Sequence, residues 1–511
     1  MSKEKNQLRA GALLSYLNLG ISTIIPFVYT PIMLEKLGQA EYGLYSLAHS
    51  VIAYLSLLSF GFGSTIIRYL SMYRAQGKKE EYEKTFGFFL RLYMCVGILV
   101  MIGGLIISMN VGSIFDQGLT PPEMEKMKIL TIIMAFNSAI SFPISVFSSV
   151  TISHERYIFR RFIDVIITVA APIGNLIALF CGFRSVGMAL VSTIIQFSIL
   201  PINVIYCAKV LKVKPRFSKM PKELIKEMLG FSAFAFIATL VDMLFWSTDR
   251  TLLGMYASSV AVAIYNIGCT FNQMVRSLST AISGVLTPRV TGMVAKEKSN
   301  KEISDLFIRV GRLQYLIVAL IVSGFVVFGQ SFLKLWAGDE YSQSYWIALI
   351  TMIPLCIPLI QNTGISIVTA QNKHAFRSIA YLVIAVINVI STFFAIKVFE
   401  GYEGIAAAVC SGISYLVGQG LVMNIFYWKA IKIDIPTFWK NILKMSIVPV
   451  CMVVVSFLLK RFISCDTWII FLVCVAIYAA IYAVGMYLIV LNAYEKDIIF
   501  GIVRKLRRKK I

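Results

Sequence analysis

Long apolar runs alternate with short polar segments from one end of the chain to the other, and no other periodicity competes with this one. A helix needs about 20 mostly apolar residues to cross a bilayer. Stretches of that kind fall at approximately 10–34, 42–70, 86–109, 129–152, 160–183, 185–207, 225–254, 259–288, 307–330, 345–371, 376–398, 402–428, 438–462 and 466–492. The pattern predicts an all-α polytopic membrane protein with about fourteen transmembrane helices. The segments between the runs are too short to fold alone. The first run follows a short polar start, Ser2-Lys-Glu-Lys-Asn-Gln7, without a small-residue cleavage site. It is expected to be a retained span and not a signal peptide. Composition agrees, with 58% apolar and only 14% charged residues, against roughly 25% charged in soluble domains.

A net charge of +22 suggests nucleic acid until its distribution is traced. With the N-terminus inside, the inner segments carry 36 Lys and Arg and the outer segments 8. The remaining four, Arg68, Arg91, Arg250 and Arg276, fall within spans. Short inner loops rich in Lys and Arg are the positive-inside pattern, which places both termini in the cytoplasm. The basic run Arg504-Lys-Leu-Arg-Arg-Lys-Lys510 suits anionic phospholipid headgroups, worth about 1 kcal/mol per charge near the surface, better than DNA. No nucleic-acid partner is expected.

Candidate chemistry is sparse. The nine cysteines are scattered singly, without ligand or disulfide spacing, and His49, His154 and His374 are equally isolated. Gly61-Phe-Gly63 lacks the Lys and Ser/Thr of a phosphate loop, so its small residues are expected to permit a bend or close helix packing. Catalysis, a cofactor and a metal site are all unexpected.

Weak internal repetition divides the chain. Tyr45 in Leu37-Gly-Gln-Ala-Glu-Tyr-Gly-Leu-Tyr45 and Tyr265 in Leu253-Gly-Met-Tyr-Ala-Ser-Ser-Val-Ala-Val-Ala-Ile-Tyr265 are 220 apart, as are Ala75 and Ala295, and Lys78 and Lys298. An offset of 217 pairs Phe159-Arg160 with Phe376-Arg377, and Gly187-Met-Ala189 with Gly404-Ile-Ala406. Two pseudo-symmetric six-helix lobes are expected, at 1–207 and 225–428, joined by a basic cytoplasmic linker at 208–224. Two C-terminal helices (429–492) and a basic cytoplasmic tail (493–511) complete the chain. Six spans return the chain to its starting side, so the repeats run parallel, a known transporter plan with its site between the halves. Pro26 and Pro31, in the first span, are the preferred hinge.

Charges within spans are costly and mark cavities or partners. Arg68 and Arg91 lie near inner ends, where they can snorkel, and Asp164 is expected to pair with Arg160 and Arg161. Arg276 sits near the middle of the eighth span. Asn272, Arg276, Thr280, Ser283 and Thr287 form a polar stripe there, expected to face a wet interior. Asp242 and Asp249, seven apart on the seventh span, are expected to share a face and to form an inter-helix ion pair or a substrate or coupling contact.

Several segments resemble the polysaccharide-biosynthesis flippases of bacteria, the O-antigen and capsule repeat-unit exporters. They are Pro31-Ile-Met-Leu-Glu-Lys-Leu-Gly-Gln-Ala-Glu-Tyr-Gly-Leu-Tyr45, Gly61-Phe-Gly-Ser-Thr-Ile-Ile-Arg68, Asp249-Arg-Thr-Leu-Leu-Gly254 with Ala263-Ile-Tyr265, and Thr369-Ala-Gln-Asn-Lys-His374 with Asn388 and Gly404-Ile-Ala-Ala-Ala408. That family belongs to the multidrug/oligosaccharidyl-lipid/polysaccharide exporter superfamily. The resemblance implies two six-helix lobes around a central cavity, in the bacterial cytoplasmic membrane. It further implies flipping of an undecaprenyl-diphosphate-linked oligosaccharide to the outer leaflet for lipopolysaccharide or capsule synthesis, beside a polysaccharide polymerase and glycosyltransferases. Arg276, with Arg68 and Arg250, would then meet the diphosphate. Asn272, Gln273, Asn18, Asn137, Gln361 and Asn362 would offer hydrogen bonds to sugars. A cation-coupled multidrug exporter of the same superfamily is the alternative, and a membrane-embedded sugar polymerase or glycosyltransferase a more distant one.

Overall fold

The computed structural model describes residues 2–296, 298–371, 373–459 and 465–497, so the basic run at 504–510 lies outside the described residues. Among them, all regular structure is helical. Twelve helices are long and apolar enough to cross a membrane. The spans expected at 10–34 and 259–288 coincide with two further helices, Ser2–Leu37 and Ser259–Ala295. Among the described residues helices thus stand at all fourteen expected places, and twelve of them are long and apolar enough to span.

The chain divides into two compact units. The first holds everything up to Asn266 together with Val389–Gly404. It contains α1 (Ser2–Leu37), α2 (Gln39–Leu55), α3 (Phe62–Ala75), α4 (Lys79–Met109), α5 (Pro121–Ser153), α6 (Tyr157–Phe180), α7 (Arg184–Ile205), α8 (Lys222–Trp246) and α9 (Thr248–Tyr256). It also takes the first two turns of α10 (Ser259–Ala295). The second unit contains the rest of α10, α11 (Asn300–Ala337), α12 (Gln343–Ile360), α13 (Thr363–Ala370) and most of α14 (His374–Val398). After these come α15 (Glu403–Tyr415), α16 (Asn424–Lys429), α17 (Ile435–Leu459) and α18 (Trp468–Gly485).

Rows of large apolar residues stay exposed, among them Ile166, Ile173 and Ile177 on α6, Ile194 and Phe197 on α7, and Leu443, Ile447, Val450 and Val454 on α17. Contiguous apolar surface of this extent belongs against lipid. Inside the first unit, small residues let helices touch. A Cβ on Gly97 of α4 would lie 2.8 Å from the Ala139 carbonyl of α5, and one on Gly104 would collide with Ala135. Without a hydrophobic drive between helices in lipid, close van der Waals contact of this kind holds the pair.

Three expected spans are broken. The second parts into α2 and α3 at a turn where Phe60 and Gly61 adopt φ of 48° and 67°. Gly61 suits that left-handed turn, and a Cβ there would also press on Phe236 of α8 at 2.8 Å. The tenth parts into α12 and α13 at Gln361-Asn362, just after Pro354 and Pro358. The seventh parts into α8 and α9 at Ser247. Hydropathy reads each as one continuous run because a break of one or two residues leaves the apolar content intact.

The linker at 211–221 is extended and follows the first unit, with the Arg216 amide donating to the Glu83 carbonyl at 2.9 Å. At the other end of the chain, Arg312 of α11 makes a buried bidentate pair with Glu495 at 2.6 and 2.8 Å, and also donates to Asn441 and to the Val490 carbonyl.

Candidate functional site

The break at Ser247 turns α9 away from the line of α8 and leaves the Trp246 carbonyl open to a new donor. The Arg250 guanidinium takes it, through Nε at 3.1 Å and an Nη at 2.5 Å. Its other Nη donates to Asn266 Oδ1 at 2.8 Å, and Asn266 in turn donates to Tyr42 Oη at 2.6 Å and Ser46 Oγ at 3.2 Å. This chain of bonds borders a cavity of ≈ 290 Å³ inside the first unit. Tyr42, Tyr45, Ser46 and His49 line it from α2, at the i, i+3, i+4, i+7 spacing of one helix face. Tyr29 and Met33 come from α1, Asn175 from α6 and Met188 from α7. Tyr45 and His49 meet edge to face, 4.9 Å between ring centroids. Among its described lining residues the cavity has a guanidinium, an imidazole, two amides and four hydroxyls, and no carboxylate.

Contacts beside this cavity join residues 220 apart, the offset of the expected repeat. Ser46 and Asn266 are 220 apart and hydrogen-bonded. Gly43 and Ala263 share that offset, and a Cβ added to Gly43 would lie 3.2 Å from the Ala263 amide nitrogen. A side chain on Gly43 would collide with the Ser259 carbonyl, so only glycine lets α2 lie this close to α10. Glu123 accepts a hydrogen bond from Ser259 at 2.5 Å. Nearby, buried Glu41 accepts from the Ser185 amide at 3.1 Å and hydroxyl at 2.7 Å, and pairs with Lys126 at 3.0 Å and Arg184 at 3.3 Å. One carboxylate thereby ties the N-terminal ends of α2, α5 and α7 together.

The other residues singled out from sequence are dispersed. Asp249 is buried and accepts from the Tyr265 hydroxyl, whereas Asp242 is exposed. The break at Ser247 separates them, so they do not share one helix face. Arg68 is exposed, with its guanidinium 4.4 Å from the Phe231 ring centroid, and Arg91 lies 5.4 Å from that of Phe217. Asp164 pairs with Arg160 at 3.0 Å and Arg161 at 3.3 Å. Pro26 and Pro31 lie within α1, which continues through both.

On α10 the polar stripe divides. Four residues advance a helix by about 40° beyond a full turn, so successive members drift around the axis. Asn272 and Ser283 face the packed interior of the second unit, where Asn272 donates to Thr351 at 2.6 Å and Asn362 to Ser283 at 2.7 Å. Gln273, Ser277 and Thr280 are exposed, and half-buried Arg276 stands at the border. The side chain of Thr287 lies outside the described residues. Asn18 accepts from Thr168, Asn137 donates to Thr193, and Gln361 donates to Asn424.

His49, Tyr42, Ser46 and Asn266 were not singled out as site residues from the sequence. The face spacing on α2 was readable there, but spacing alone does not distinguish a cavity wall from a packed seam. At the margin of the spans, His154 serves structure: its ring stacks edge to face on Tyr82 at 5.4 Å. Burial pushes its imidazole below the ordinary range, against an opposing hydrogen bond with the Val150 carbonyl.

Comparison with known proteins supplies relatives for this architecture. The family described as "Polysaccharide biosynthesis protein" matches residues 8–294. An uncharacterized membrane protein of Bacillus subtilis (strain 168), EpsK, is 20% identical over 378 residues, covering 72% of this chain and 73% of EpsK. Among solved structures, the lipid II flippase MurJ in an inward closed conformation is similar with a TM-score of 0.70 at 14% identity, covering 93% of this chain and 98% of MurJ. An inward-facing multidrug resistance MATE family transporter of the MOP superfamily gives 0.60 at 14% identity, covering 83% and 99%. The likeness to these solved structures establishes a shared fold.

Proposed function

This chain belongs to the polysaccharide biosynthesis protein family, and from that premise we propose that it flips lipid-linked oligosaccharide repeat units across the bacterial cytoplasmic membrane. The substrate would be an undecaprenyl-diphosphate-linked glycan, moved from the inner to the outer leaflet by alternating access. One observation carries the reading: the cavity of the first unit presents Arg250 among hydroxyls and amides, and its described lining holds no carboxylate. A guanidinium suits phosphate oxygens through paired donors. Tyr42, Tyr45, Ser46 and Asn266 suit sugar hydroxyls, and tyrosine rings suit the apolar faces of sugars. A cavity built for a cationic drug would instead be expected to place an acid at its wall.

In this reading the prenyl chain stays in lipid while the headgroup crosses. Arg276 meets the diphosphate further along the path, with Arg68 at the way in. Two six-helix lobes at 1–207 and 225–428 alternate between closed and open arrangements, and Pro26 and Pro31 let α1 flex. The termini are cytoplasmic, a polysaccharide polymerase and glycosyltransferases act beside it, and the protein itself performs no covalent step.

The test is deletion of the gene followed by localisation of lipid-linked repeat units. Stranding on the inner leaflet with loss of surface glycan is expected. Undisturbed surface glycan, with no stranded intermediate, overturns the reading.

A further inference from the structure

The two halves carry one matched arginine in unlike surroundings. α6 begins at Tyr157 and α14 at His374, 217 residues later. In the first turn of α6, Phe159 stacks on Tyr206 at 3.6 Å; in the first turn of α14, Phe376 stacks on Phe426 at 4.4 Å. The local packing is therefore the same, and Arg160 and Arg377 occupy equivalent places in their own units. Arg160 is neutralised, one turn on, by Asp164 at 3.0 Å and donates to Ser148 at 2.5 Å. At the same step from Arg377 the chain has Tyr381. The Arg377 guanidinium lies 4.9 Å from that ring's centroid, and its Nε is buried without a hydrogen-bond partner. No Asp or Glu occurs anywhere between residues 341 and 399. Lys373, the only other cation in the first turn's approach, is held on the Ala430 carbonyl at 2.8 Å.

Beside this cation, α14 turns an apolar stripe outward: Phe376, Ile379, Val383, Ile387 and Ile390 are all exposed. A charge without a carboxylate, at the headgroup end of a lipid-facing stripe, fits an anion carried on a hydrocarbon chain. We propose that Arg377 forms a binding site for a lipid phosphate at the cytoplasmic end of the second unit. Two sources share that chemistry, an anionic phospholipid and the prenyl diphosphate of the proposed substrate. The guanidinium donors not engaged by Tyr381 take phosphate oxygens, the Tyr381 ring steadies its plane, and the lipid tail runs along the stripe. The site depends on the membrane setting and stands whether or not the flippase reading holds.

Native mass spectrometry of the purified full chain tests it, with phosphatidylglycerol and undecaprenyl diphosphate titrated separately and phosphatidylcholine as the uncharged control. For at least one of the two anionic lipids, Arg377→Gln is expected to weaken retention about tenfold, the scale of one lost charge-assisted contact, and Arg377→Lys by less. Tyr381→Asp restores the carboxylate found in the first half and is expected to match Arg377→Gln with the arginine still present. Tyr381→Phe keeps the ring and should bind as the parent does. Loss for phosphatidylglycerol alone assigns a phospholipid, and loss for undecaprenyl diphosphate assigns the carrier lipid. Unchanged retention of both lipids in Arg377→Gln and Tyr381→Asp overturns the site. If Arg377→Gln does not fold, the contrast between Tyr381→Asp and Tyr381→Phe decides alone.

Discussion

Arg250 and Arg276 are the two guanidiniums on which transport is proposed to depend, and their surroundings call for different substitutions. Arg250 closes the carbonyl left open at the α8–α9 break, so alanine would remove a structural contact together with the charge. Glutamine can still donate to Trp246. Arg250→Gln is expected to yield stable, membrane-inserted protein with no surface glycan, and Arg250→Lys partial export, since lysine keeps the charge but loses the fork. Arg276→Gln on α10 is expected to give the same pairing of normal abundance with lost export. Normal export from either glutamine variant would remove that arginine from the mechanism. Both arginines stood out in the sequence because a charge within a span is expensive. Glu41 did not. It lies in the first turn of α2, where an acid is unremarkable, and its partners are 85 to 144 residues away, a distance that no local pattern reports.

At the scale of elements, hydropathy gave the helices and missed their interruptions. The α2–α3 turn left a trace in Gly61-Phe-Gly63, and the α12–α13 break in Pro354 and Pro358, while Trp246-Ser247 carries neither glycine nor proline. Discontinuous helices of this sort cluster at transporter sites, and the one without a sequence signal is the one that aims Arg250. The end of the last span was equally hidden. By the expected bounds Arg312 falls in the span at 307–330 and Glu495 in the tail at 493–511, yet they form a pair with side chains only 7% and 2% exposed. Breaking a buried pair from one side leaves an uncompensated charge and costs about 3–5 kcal/mol. Glu495→Gln and Arg312→Met are each expected to lower the Tm of the purified protein. The double apolar change Arg312→Met with Glu495→Leu should recover most of the loss, because burying neither charge is close to neutral. Single variants with the parental Tm would show that the pair does not hold α11 to the segment after α18.

For the whole molecule, charge asymmetry and repetition are the two signals that bear on direction and mechanism. The 36 to 8 bias of Lys and Arg predicts that cysteines introduced at Gln117 and Ser342 react with an impermeant thiol reagent in intact cells, while those at Lys78 and Lys219 do not; the reverse pattern would invert the proposed direction of transport. The expected repeat rests on scattered matches at an offset near 220, since apolar residues interchange freely in lipid and leave few identities. What the sequence could not show is that residues at that offset touch. Ser46 meets Asn266 at the edge of the cavity, within the first compact unit. If the halves move apart on the outer side during each cycle, that contact must open every time. A cysteine pair at Ser46 and Asn266, joined by oxidation or a short bifunctional thiol reagent, is therefore expected to stop glycan export, and reduction of the oxidised pair should restore it. Each single cysteine controls for loss of the native hydrogen bond, because a block that appears without the cross-link would come from the substitution itself. Membrane abundance of the double variant, with and without reductant, controls for folding. Export at the parental rate from protein shown to be fully cross-linked would mean that this closure does not open, and that the substrate leaves by a route that never parts α2 from α10.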